Sequence, residues 1–229
     1  MVISMKLHYS ESGMGKPLIL LHGNGESGQY FKHQIAFFSR KYRVIALDTR
    51  GHGDSPRGNA PFTIEQFAED LLNFMDEHAI EKAHLLGFSD GGNIALTFAL
   101  KYPDRVDRLI LNGANLNPSG VRVLVQAPIV LGYHIALRFA GKSPKARKNA
   151  ELLGLMVKQP HIQAERLAML HVPTLVIVGS RDMIKRKHTQ LIYKSIPQAQ
   201  LEILQGDHFI AARNPSDFNQ AVERFLEAD

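Results

Sequence analysis

Residues 83–92 leave the chain few architectures to adopt. Ala83-His84-Leu85-Leu86 is an apolar run of strand length, and Gly87-Phe88-Ser89-Asp90-Gly91-Gly92 follows without a spacer. A segment of helical period then runs from Asp90 to Tyr102, where Pro103 halts it. A strand that turns into a helix this abruptly needs small residues where the two backbones converge, and the glycines on either side of the serine supply them. Such a turn lifts Ser89 above the end of the strand, with a helix N-terminus behind it that favours developing negative charge.

The rest of the chain repeats the theme of strand then helix. Further strand-length runs lie at Pro17 to Leu21, Tyr42 to Leu47, Arg108 to Leu111, Thr174 to Val178 and Leu201 to Leu204, while Val2 to Tyr9 is expected to begin the sheet at an antiparallel edge. Helical spacing marks Thr63 to His78, where Ile64, Phe67, Leu71 and Met75 fall on one face behind a Thr63 cap, and also Lys185 to Ser195 and Pro215 to Glu227. This alternation predicts an α/β fold, a mostly parallel sheet with helices on both faces, formed as a single domain over residues 1–229. The alternation breaks between Pro118 and Leu170, where apolar residues keep helical spacing and no strand occurs. That stretch reads as an inserted helical cap, which Gly132, Gly141, Pro144, Gly154 and Pro160 divide into short helices.

Composition narrows the chemistry. With 45% hydrophobic and 21% charged residues the chain has the makeup of a globular domain, and with no cysteine it has neither disulfides nor thiolate chemistry. No apolar run reaches the length of a signal core or a membrane span, so a cytoplasmic location without membrane association is the expectation. The net charge of +5 is local in origin. Residues 119–172 hold eight basic residues against Glu151 and Glu165, a net of +6, whereas the remainder nets −1. A solvated helical face is the expectation there, and no nucleic-acid motif accompanies it.

A serine hydroxyl is a weak nucleophile without a base, and the base needs a carboxylate to fix its tautomer. Gly87-Phe88-Ser89-Asp90-Gly91 has the G-x-S-x-G pattern, in whose fold these partners follow in the chain order serine, acid, histidine. Gly179-Ser180-Arg181-Asp182 follows the Thr174 strand and Gly206-Asp207-His208 follows the Leu201 strand, which makes Asp182 the acid and His208 the base. Beyond Asp182 the other histidine is His188, in a basic helix where an exposed position is expected; Asp207 directly precedes His208 and is badly placed to orient its ring. Acyl transfer also requires donors for an oxyanion, and the backbone N–H groups of Asn24, in the loop His22-Gly23-Asn24-Gly25, and of Asp90 are the candidates. His22 is expected to brace that loop, and Asp48 to Ser55 to form a polar loop network. Phe88 and Asp90 flank the serine and, with Gly23 in the loop after Leu21, are candidate substrate contacts.

Taken together, His22-Gly23, Asp48 to Ser55, Gly87 to Gly92, Asp182 and His208 resemble the α/β-hydrolase superfamily over nearly the whole chain. The resemblance implies an eight-stranded, mostly parallel sheet, a cap between the sixth and seventh strands, and no cofactor or metal. Some members carry the acid one strand earlier, but Asn112-Gly113-Ala114-Asn115 offers no carboxylate there. Phe88-Ser89-Asp90-Gly91-Gly92 also looks like the corresponding segment of valacyclovir-hydrolase-type enzymes, which implies a role for Asp90 in binding a substrate amine; an acid stabilising the first helical turn is the alternative. Serine at the turn argues against haloalkane dehalogenases and epoxide hydrolases, which use aspartate.

The reading from sequence is therefore a serine hydrolase acting on small, partly apolar carboxylic esters, with a small-molecule substrate and no nucleic-acid or membrane partner. Lactonase, amidase and carbon–carbon bond hydrolase remain alternatives within enzymes. A small-molecule receptor that keeps the pocket is the alternative outside them.

Overall fold

The computed structural model describes residues 5–228. A seven-stranded sheet has β1 (Tyr9–Ser12), β2 (Pro17–Leu21), β3 (Arg43–Leu47), β4 (Ala83–Phe88), β5 (Val106–Asn112), β6 (Thr174–Gly179) and β7 (Ala199–Leu204) in the spatial order β1-β3-β2-β4-β5-β6-β7. All neighbours run parallel except β1, which pairs antiparallel to β3. The implied eight strands are thus seven among the described residues. The expected edge strand is displaced as well: residues 2–4 lie outside the described residues, and pairing begins at Tyr9 opposite Leu47. The polar run Tyr9–Ser12 can form this edge because one side of it faces solvent, where alternation and not continuous apolarity suffices.

Helices cover both faces. On one side α1 (Lys32–Phe38), α7 (Ile210–Arg213) and α8 (Pro215–Glu227) bury Phe38, Ile210, Phe218 and Phe225 against Leu18 and Leu20 of β2. On the other, α2 (Ile64–Glu77), α3 (Asp90–Lys101) and α6 (Arg186–Ser195) bury Phe67, Leu71, Ile94 and Ile192 against Ile19 and Leu21. Successive residues of a strand face opposite cores, so the continuous apolar run of β2 serves both. The Thr63 hydroxyl caps α2 by accepting the Gln66 N–H at 3.1 Å. Arg50 and Asp70, both buried, form a two-pronged ion pair (2.7 and 2.5 Å) that ties the loop after β3 to α2.

The cap is a pair of long helices rather than several short ones. α4 (Val123–Phe139) runs through Pro128 and Gly132, and α5 (Pro144–Lys158) runs through Gly154. The glycines sit where the two helices pack together: a Cβ at Gly132 would lie 3.5 Å from Leu153, and one at Gly154 would lie 3.4 Å from Tyr133. They act as contact points between helices, not as breaks. α5 is the inner helix, joined to the main body by Arg57–Glu151 (3.0 and 2.7 Å), by the Ile64 N–H to Gln159 Oε1 (2.8 Å) and by Asn24 Nδ2 to the Leu152 carbonyl (2.8 Å). α4 lies outside it. The eight basic residues of the cap are all exposed, as a solvated face requires.

Candidate active site

Ser89 occupies the junction of β4 and α3 with φ +52° and ψ −117°, a left-handed backbone that a non-glycine residue adopts only under constraint. The constraint comes from both sides. The Ser89 N–H donates to the Asn112 carbonyl at 2.8 Å, and its own carbonyl accepts the Asn93 N–H at 3.0 Å. The close approach needs glycine at position 91, where a Cβ would stand 1.9 Å from the Leu21 carbonyl oxygen. Ser89 is half-buried, so its hydroxyl remains reachable.

Asp182 and His208 come together at the same end of the sheet. Asp182 lies beyond the last residue of β6, and His208 beyond that of β7. Asp182 Oδ1 accepts from His208 Nδ1 at 2.8 Å and from the Ile184 N–H at 2.8 Å. Both side chains are buried, and His208 Nε2 has no hydrogen-bond partner among the described residues. The imidazole lies against Phe88, with ring centroids 4.9 Å apart, and against Gly113, where a Cβ would stand 2.7 Å from its Cε1. Phe88 directly precedes Ser89, and Gly113 directly follows the residue that holds the Ser89 N–H. The structure therefore brings all three residues to one place. The Ser89 hydroxyl and His208 Nε2 are not hydrogen-bonded to each other in this arrangement. Loose pairing of this kind is common before a substrate orders the site.

Of the oxyanion candidates, Asn24 occupies the facing loop and Asp90 the first position of α3. The Asn24 N–H has no acceptor among the described residues, and Asp90 opens α3, where first-turn N–H groups lack intrahelical acceptors. The Asp90 side chain is buried and already engaged: Oδ2 accepts from Asn24 Nδ2 at 2.9 Å and Oδ1 from Asn93 Nδ2 at 3.3 Å. Burial raises its pKa, and the two amides partly offset the rise. Gly23 and Phe88, the other two candidate substrate contacts, lie in the floor beneath the serine. Both are buried, and the Phe88 ring is 1% exposed because Tyr30 stacks on it at 4.4 Å while His208 covers it from another side.

His22 braces the loop of residues 23–25 as expected. Its Nε2 accepts the Thr49 N–H at 3.1 Å, which fixes the proton on Nδ1, and Nδ1 donates to the Gly23 carbonyl at 2.7 Å. Burial depresses its pKa to about 4, so the ring is neutral at physiological pH. The loop from Asp48 to Ser55 forms the expected network. Burial would raise the Asp48 pKa, but the N–H groups of Gly28 and Asp54 and the His8 ring outweigh it and leave the pKa lowered. His8, Asp48 and Asp54 are grouped closely enough to suggest a cation site, yet these same donors already occupy both Asp48 oxygens. The grouping is accounted for as loop structure.

Two features were not anticipated. His188 is packed inward, not exposed: its Nε2 accepts the Leu116 N–H at 2.9 Å beneath Gly120. Glu26 sits at the edge of the site, with Oε2 accepting the Gly23 N–H at 3.2 Å. Burial lifts its pKa to about 7, although that N–H and nearby His208 pull the other way. Residue spacing carries no signal for Glu26, because its approach to the site depends on how the loop folds back.

Comparison with known proteins agrees with this fold. A family model described as alpha/beta hydrolase fold matches residues 16–133, just over half of the chain. A putative carbamate hydrolase, RutD, from Caulobacter sp. strain K31 is 29% identical, covering 98% of this chain and 95% of its own. Serine hydrolase BPHL from Homo sapiens is 28% identical over 99% of this chain and 84% of its own. Among solved structures, a meta-cleavage product hydrolase from Pseudomonas fluorescens IP01, a mutant complexed with acetates, is 27% identical, covers 96% of this chain and 93% of its own, and superimposes with a TM-score of 0.78.

Proposed function

Because the chain belongs to the α/β-hydrolase fold family, we propose that it is a serine hydrolase that cleaves small carboxylic esters through an acyl-enzyme. The observation that carries this reading is the strained Ser89 turn set beside a buried, hydrogen-bonded Asp182–His208 pair. Asp182 Oδ1 holds the proton on His208 Nδ1, which leaves Nε2 as the acceptor. Nε2 takes the Ser89 proton as Oγ attacks the ester carbonyl, then returns it to the departing alcohol. The N–H groups of Asn24 and Asp90 hold the tetrahedral oxyanion. Water, deprotonated by the same nitrogen, releases the carboxylic acid and restores Ser89.

Relatives named as carbamate, serine and meta-cleavage product hydrolases support hydrolysis at a carbonyl centre but span several bond types. The ester reading rests on the triad chemistry itself, which suits an activated acyl carbon best. A panel of p-nitrophenyl esters with short and medium acyl chains tests it. Turnover that falls about a thousandfold in Ser89→Ala supports the proposal. Equal rates for the two proteins would refute it and favour a receptor that merely retains the pocket.

A further inference from the structure

The outer cap helix presents apolar surface that the fold itself leaves uncovered. Of the 17 residues of α4, Tyr133 is the buried one. Leu124 is 91% exposed and Leu131 64%, and Val123, Ile135, Leu137 and Phe139 are exposed as well. At 3.6 residues per turn these positions sweep roughly half the circumference of the helix, a convex face and not a stripe. The face continues into an open groove of about 390 Å³ between α4 and α5, lined by Ile135, Phe139 and Leu153 with Lys145 at its rim.

Charge identifies what would cover it. Arg138, Lys142, Lys145, Arg147 and Lys148 crowd the tip where α4 turns into α5, all exposed, and among the described residues none of the five is in a salt bridge. Three of them stand in the first turns of α5, which carries no acid in its first turn and whose dipole opposes cations there. An exposed apolar helix bordered by unpaired cations suits an anionic interface, into which hydrocarbon side chains dip while long basic side chains reach the headgroups. A second copy docked on the same face would set like charges against each other, and a rigid partner would have to wrap a convex arc. No described helix is long and apolar enough to cross a membrane, but seating on a surface does not require that.

We propose that α4 and the basic tip of the cap seat this protein on an anionic phospholipid surface. Cosedimentation of the full chain with vesicles of phosphatidylcholine alone, and of phosphatidylcholine mixed with phosphatidylglycerol, tests it. The protein should partition onto the mixed vesicles, with raised salt weakening binding. Partitioning should fall about tenfold or more in Leu124→Asp/Leu131→Asp and also in Lys142→Glu/Lys145→Glu. All of these side chains are exposed, so unchanged thermal melting would establish that the variants fold. Three results would overturn the proposal: no partitioning onto either vesicle, equal partitioning onto both, or a concentration-dependent dimer that Leu124→Asp/Leu131→Asp dissolves, which would assign the face to a second copy.

Discussion

Asn24 Nδ2 lies 2.9 Å from Asp90 Oδ2, and the same amide donates to the Leu152 carbonyl of the cap at 2.8 Å. One side chain therefore joins the loop after β2, the residue after the candidate nucleophile and the inner cap helix. Asn24→Ala would strip a buried carboxylate of one donor and release one cap tether, at a cost of about 1–3 kcal/mol. The Asn24 backbone N–H survives the change. KM should therefore rise more than kcat falls, as steady-state kinetics beside a denaturant melt would measure. A hundredfold fall in kcat at constant KM would instead place the amide in the chemical step.

Ser89 holds a positive φ that glycine would adopt without strain. Ser89→Gly should abolish turnover yet raise stability by about 1 kcal/mol over Ser89→Ala, which inherits the same backbone. Paired thermal melts of the two inactive variants give the comparison. Identical midpoints would mean that the turn stores no strain.

Arg50 and Asp70 are both buried and bonded through two prongs, with Gln66 Nε2 adding a third contact to Asp70 at 3.1 Å. Asp70→Ala would leave a guanidinium buried without its counter-charge, a loss of about 3–5 kcal/mol. Chemical denaturation would register it. A loss under 1 kcal/mol would show that the pair is solvated in the folded protein.

Burial lowers the pKa of His22 and of His84 to about 4 and depresses that of His52 too. Above their ordinary value of 6.5 these rings are neutral in both folded and unfolded chains. As pH falls from 6.5 toward 4, the unfolded chain takes up protons that the folded one refuses, so stability declines. Glu26 has the opposite sign: its pKa is raised from 4.5 to about 7, so its contribution is full below 4.5 and is lost as pH rises through 7. Four imidazoles, His188 included, outnumber the two raised carboxyls Glu26 and Asp90, and acid should destabilise on balance. Among the described residues His84 Nδ1 is buried without a partner, so His84→Phe should make the acid limb shallower, a gain of about 1 kcal/mol at pH 5 relative to pH 7. Urea melts at the two pH values would check it, and an unchanged difference would count against the assignment.

Much of this molecule was legible because local signals agreed with one another. The strand Pro17–Leu21 and the helix Pro215–Glu227 have the bounds that an apolar run and a leading proline indicate. Where local and tertiary signals competed, the local reading failed. Gly132 and Gly154 looked like helix breaks, but the packing of α4 on α5 makes use of them. His188 looked like one more polar residue on a basic helix, yet it supplies the acceptor that the Leu116 N–H requires.

By itself the sequence determined the alternating α/β architecture, the serine turn and the loops that carry Asp182 and His208, because strand period, glycine placement and chain order are local or sequential properties. Only the tertiary structure decided that Phe88 is buried against Tyr30 and His208, that Asp90 is already held by Asn24 and Asn93, and that the apolar face of α4 points to solvent. Those outcomes depend on which surfaces meet between distant parts of the chain, 66 residues apart for Asn24 and Asp90, and no periodicity encodes that meeting.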